Sequence, residues 1–83
     1  MKIERIRYVV VTTDEQQIFC GLAKHYQFKP IDNIGDTAIK TYLSEKKAKS
    51  SFLSSWYYSK PEDFEENGRY KIIKVKEVIE SSI

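Results

Sequence analysis

One cysteine, one histidine, three glycines and two prolines in 83 residues leave this chain few of the parts from which catalytic and metal sites are usually built. A lone cysteine cannot close an internal disulfide, so no oxidised scaffold supports the fold. Cys20 and His25 are the only thiol and imidazole, whereas a structural zinc site needs four such ligands at paired spacing. Gly21, Gly35 and Gly68 stand singly and compose no phosphate-cradling loop. No apolar run approaches the ~20 residues of a transmembrane helix. Residues 1–7 (Met-Lys-Ile-Glu-Arg-Ile-Arg) lack the uninterrupted apolar stretch of a secretory signal. No repeat or low-complexity segment is present. A cytoplasmic protein without metal, cofactor or membrane span is expected, and the sequence points to no enzyme.

Charge of one sign is scarce as well. Fourteen basic residues against twelve acidic ones give a net charge of +2. The pI near 8.6 is milder than the strongly basic balance of a dedicated nucleic-acid binder.

What the chain does have is aromatic and aliphatic bulk. Hydrophobic residues reach 41% and aromatics 13%, with six Tyr, four Phe and one Trp. That suffices for one core in a single domain spanning 1–83. A domain of this size buries only about 60% of its unfolded surface, so there is little room for an enclosed pocket.

Residues 6–13 (Ile-Arg-Tyr-Val-Val-Val-Thr-Thr) are rich in β-branched side chains. Ile6, Tyr8, Val10 and Thr12 share one face by the period of two, and Val9 and Val11 share the other. A strand apolar on both faces is usually central in its sheet. Asp14-Glu15-Gln16 reads as a turn leading into a short strand around 17–20, which makes an antiparallel hairpin. Residues 21–37 read mainly as a connection, within which His25-Tyr26-Gln27-Phe28 could pair briefly as a strand.

The segment 38–58 is the most informative stretch. Residues 38–42 alternate as a strand and run into a helix. Ser44 is a good N-cap, Glu45 suits the first helical turn, and Leu43 with Ala48 holds the positions of a hydrophobic staple. Ala48, Phe52 and Trp56 recur every fourth residue with Leu53 at the flank, an apolar stripe opposed by Lys46, Lys47, Ser50 and Ser54. Ser59-Lys60-Pro61-Glu62 fits a capping box ahead of a short helical turn over 61–66, which Gly68 terminates. Residues 69–78 read as a last strand of imperfect alternation, with Tyr70 and Ile72 on one face and Ile73 and Val75 on the other, although Val75, Val78 and Ile79 would also suit a terminal helical turn. The expected fold is α+β: a three- to four-stranded, mostly antiparallel sheet in the order β-β-β-α-β, with one main helix on a face and a short extra helical turn.

Each chemical feature has a plainer structural explanation beside it. A Cys20–His25 dyad could activate a thiolate, but nothing in the sequence suggests a third group to orient it, and free cysteines are mostly small core residues. Asp32 and Asp36 sit where turn-forming aspartates are common. Lys46 and Lys49 on the helix, with Lys71, Lys74 and Lys76 on the last strand, form a candidate phosphate-contacting set. Lysines opposite an apolar stripe or along an edge strand are also ordinary solvated positions.

The acidic run Glu62-Asp63-Phe64-Glu65-Glu66 agrees with the first turn of a short helix and equally suits a basic groove on a partner. Trp56-Tyr57-Tyr58 cannot all point inward from one helical face, so tyrosine exposure is expected where the helix ends.

The order of hairpin, loop, Ile39-Lys40-Thr41-Tyr42, Ser44-Glu45-Lys46-Lys47-Ala48, helix and Tyr70-Lys71-Ile72-Ile73-Lys74-Val75 resembles small accessory proteins of bacteriophages and mobile elements. The resemblance covers most of the chain. It implies a non-enzymatic role, frequently inhibition of a host or defence protein by direct binding, and it transfers no functional residues. The expected function is therefore stoichiometric protein binding through Tyr57, Tyr58, Glu62, Asp63, Glu65 and Glu66. A nucleic-acid module using the five lysines is the alternative, and homodimerisation is left open.

Overall fold

A computed structural model describes residues 2–21, 27–33, 39–55 and 59–80. The fold is α+β, as the sequence pattern predicts. Strands β1 (Lys2–Thr12), β2 (Gln17–Phe19), β3 (Phe28–Pro30) and β4 (Tyr70–Glu80) form one antiparallel sheet in the order β3-β2-β1-β4. Helix α1 (Glu45–Ser55) precedes β4, and two 3-10 turns cover Ile31–Asn33 and Pro61–Phe64.

The β1–β2 turn forms without an Asn-Gly pair. Thr12 Oγ1 donates to Asp14 Oδ1 at 2.6 Å, the Gln16 N–H donates to the same oxygen at 3.0 Å, and Glu15 takes the positive φ of 60°. An aspartate that accepts from the backbone two residues on supplies the closure that a glycine turn would otherwise provide.

β1 is apolar on both faces because both faces are covered. Val10 packs with Phe19, Tyr42, Ala48, Phe52 and Tyr70 on the helix side. Val9 and Val11 pack with Ile18 on the other side, where Ile31, Ile39, Ile73 and Val75 close over them. β4 divides as its alternation predicts, with Ile72 in the first cluster and Ile73 in the second.

Phe52 is the hub of the helix side. Its ring meets Phe19 edge-on at 4.9 Å, Tyr70 at 5.1 Å and Phe64 at 5.5 Å. Edge-to-face contacts of this kind add to burial because ring edges and faces carry opposite partial charge. The helix starts where the sequence places it, with the Lys47 N–H donating to Ser44 Oγ at 3.1 Å.

Three local expectations need correction. Residues 39–42 contribute one isolated bridge, Tyr8 with Tyr42, and not a strand. This stretch shares its hydrogen bonds between two neighbours, since Lys40 N–H donates to the Phe19 carbonyl and Tyr42 N–H to the Tyr8 carbonyl. The third strand is instead Phe28–Pro30, within the segment read mainly as a connection. The Leu43–Ala48 staple does not form, because Ala48 is fully buried while Leu43 is 62% exposed. Trp56, expected in the core stripe, lies outside the described residues.

The sheet is wide at one end and narrow at the other. β1 and β4 stay in register from Thr12↔Tyr70 to Lys2↔Glu80, whereas β2 reaches β1 only at Val11↔Ile18. Beyond the Tyr8–Tyr42 bridge, the two long strands continue as a two-stranded arm with no further described strand beside them.

Candidate functional site

The acidic turn is built around Asp63. Its position as the third residue of the 3-10 turn lets Oδ2 accept the Lys60 N–H at 2.8 Å. Lys60, and not Ser59, is therefore the cap residue, and Pro61 follows at the first position, where its missing N–H costs nothing. Arg69 closes over the same carboxylate, with Nε 2.9 Å from Oδ1 and a terminal nitrogen 2.8 Å from Oδ2. The Arg69 hydrogen bonds hold the Asp63 carboxyl below the usual carboxylate range, against the opposing effect of desolvation.

Asp63 is only 8% exposed. Its assignment to a contact surface is thus corrected: the carboxylate is committed to the cap and to Arg69, and it orders the turn from within. Gly68 completes the frame. A Cβ at that position would stand 2.2 Å from the Asp63 carbonyl oxygen, so only glycine permits this approach. The Gly68 carbonyl also accepts from Thr13 Oγ1, which ties the turn to the end of β1.

Glu62, Glu65 and Glu66 are exposed around this frame. None of the three is in an ion pair among the described residues. Phe64 turns the other way and packs against the helix-side core. Tyr57 and Tyr58, the remaining members of the predicted surface, lie outside the described residues.

The basic set divides. Lys71 is paired with Glu15 at 3.1 Å and Lys76 with Glu4 at 2.9 Å. Lys46, Lys49 and Lys74 are exposed with no ion pair among the described residues. Lys46 and Lys49 line an open groove of about 480 Å³ together with Glu45, Phe64, Lys71 and Ile72. Tyr70, next to Lys71 in sequence, is buried and stacked on Phe28 at 5.4 Å. It offers no platform for a base.

Cys20 is half-buried, its Sγ directed at the Ile18 carbonyl at 3.6 Å. Burial pushes its thiol up, the direction opposite to what a nucleophile needs, although Lys29 acts weakly the other way. His25 lies outside the described residues. Among the described residues no group of three His, Cys, Asp or Glu side chains is placed to hold a metal ion, and no helix is long and apolar enough to cross a membrane.

The sequence reading missed the arm. Ile3, Ile6, Val78 and Ile79 are each between 40% and 48% exposed, and all four lie on it. Its charges are largely neutralised internally: Arg5 pairs with Glu77 at 2.6 Å, and Glu4 with both Lys76 and Lys2. No family model, curated protein or solved structure matches this chain.

Proposed function

We propose that this chain is a non-enzymatic binding protein that acts stoichiometrically on another protein through its acidic turn. The observation that carries the reading is the clamp of Arg69 and the Lys60 N–H on Asp63, which fixes the backbone from which Glu62, Glu65 and Glu66 project. Three carboxylates with no ion pair among the described residues, on a preformed turn, suit a basic groove on a partner, because little ordering entropy remains to be lost on docking. Direct inhibition of a host or defence protein, in the manner of phage and mobile-element accessory proteins, is the role this surface would serve.

The nucleic-acid alternative has less behind it. Two of its five lysines are neutralised by Glu15 and Glu4, and the buried Tyr70 cannot stack. The test is a tagged pull-down from the native host with the parent and with Glu62, Glu65 and Glu66 all replaced by Lys. Loss of one captured protein with unchanged far-UV circular dichroism is expected. Equal recovery by both proteins would remove the acidic turn as the binding surface.

A further inference from the structure

The open edge of β1 is self-complementary, and we infer that two copies of this chain pair through it, antiparallel and centred on Ile3. Tyr8 exchanges both backbone hydrogen bonds with Tyr42, which shows which way alternate residues of β1 point. Lys2, Glu4 and Ile6 therefore aim their N–H and C=O groups at the same side, where no described strand receives them. An unpaired edge of this kind is a template for another strand.

A two-fold axis through such an edge keeps each sheet face on its own side, so it must pass through a residue, and each choice of residue sets a register. Centring on Lys2 sets that lysine against its own copy. Glu4 and Arg5 as centres oppose like charges in the same way, and Ile6 as centre sets Arg5 against Arg7 twice. Cross-strand like charges are destabilising and opposite charges favourable. With Ile3 at the centre, Lys2 of each copy faces Glu4 of the other, and these are also the residues whose backbone groups point across the edge.

The side chains agree with the backbone. Ile3 stands opposite Ile79 within one chain, and both are exposed. Pairing two edges at Ile3 joins them into one row, Ile79–Ile3–Ile3–Ile79, across a four-stranded sheet. Four basic residues (Lys2, Arg5, Arg7, Lys76) against three acidic ones (Glu4, Glu77, Glu80) leave the arm one positive charge, a small repulsion between two arms that the two Lys2–Glu4 pairs across the edge offset. The acidic turn adjoins the opposite end of the ladder, where Thr12 faces Tyr70, and stays free in the dimer. This pairing is independent of the function proposed above.

Sedimentation equilibrium on the whole chain tests the pairing, up to about 1 mM because an edge this short belongs to the weak class of interfaces. The average mass of the parent is expected to rise from 9.8 kDa towards twice that value. Lys2→Glu and Glu4→Lys should each stay monomeric, since each sets like charges across the edge. An equal mixture of the two variants, and the double variant K2E/E4K, should regain the doubled mass. Ile3→Lys should stay monomeric with unchanged far-UV circular dichroism. A parent that remains at 9.8 kDa over the whole range overturns the proposal. So does a mixture that stays monomeric. Single variants that associate as well as the parent would also overturn it, and would move the contact to another surface such as the outer edge of β4.

Discussion

Arg69 grips Asp63 at two points, Nε to Oδ1 at 2.9 Å and a terminal nitrogen to Oδ2 at 2.8 Å, while the Lys60 N–H takes a third bond to the same carboxylate. The pair joins the acidic turn to the residue immediately before β4. It spans only six positions and fastens the 3-10 turn to the approach to the last strand.

The first prediction concerns pH. The Asp63 carboxyl is held below its ordinary value by Arg69, so the folded state binds its proton less readily than the unfolded chain does. Stability from this group is fully present above the unfolded value of about 3.9 and is lost as pH falls through the folded one. Urea midpoints measured between neutral pH and about pH 2.5 should fall more steeply on the acid side for the parent than for Asp63→Asn. Parallel curves would show that the fork does not stabilise the fold. At neutral pH, Asp63→Ala should cost about 1–2 kcal/mol through loss of the cap and the charge-assisted bonds.

Gly68→Ala should be more damaging than its exposed surroundings suggest. The added methyl would fall 2.2 Å from the Asp63 carbonyl oxygen, 2.5 Å from its carbon and 2.8 Å from the Glu62 carbonyl oxygen. All three are backbone atoms and cannot rotate away. A loss of about 2–3 kcal/mol is expected by chemical denaturation, in the range of other overpacking changes. A neutral substitution would mean that the acidic turn relaxes freely.

The expected cost of Phe52→Ala is about 3–5 kcal/mol, because the ring is fully buried and packs edge-on against Phe19, Phe64 and Tyr70. A chain of this length has total stability of about 4–12 kcal/mol, so the substitution threatens folding outright. Ser44→Ala, which removes only the helix cap, should cost about 1 kcal/mol. Guanidinium unfolding of both variants gives the contrast; similar losses would contradict the central place assigned to Phe52.

Much of this fold was legible in the sequence where a periodicity had one cause. Val9 and Val11 against Tyr8 and Val10 announced a strand covered on both sides, and Ile72 against Ile73 divided β4 between the same two clusters. The cap at Ser44 was legible because its chemistry is local. The arm was not legible, for a geometric reason. Ile3 and Ile6 are three residues apart and so point to opposite faces of β1, and neither face shows an apolar alternation. Of the strand read over 38–42, residues 39–42 form only one bridge, because pairing depends on what lies alongside, and here the neighbours are two different strands. Within the acidic run, sequence alone could not separate Asp63 from Glu62, Glu65 and Glu66, since burial by Arg69 comes from a residue beyond the run.

The last prediction separates binding to protein from binding to nucleic acid. Lys71 and Lys76 are engaged with Glu15 and Glu4, which leaves Lys46, Lys49 and Lys74 of the five candidates without an ion pair among the described residues. On a single strand each neutralised phosphate contributes about −0.7 to the slope of log affinity against log salt. Three lysines therefore limit the slope to about −2, whereas all five would give about −3.5. Fluorescence anisotropy with a random single-stranded oligonucleotide should show weak binding at low salt, with a slope no steeper than the smaller value. A slope near the larger one would mean that nucleic acid displaces both glutamates, and it would raise the basic set above the acidic turn as the working surface.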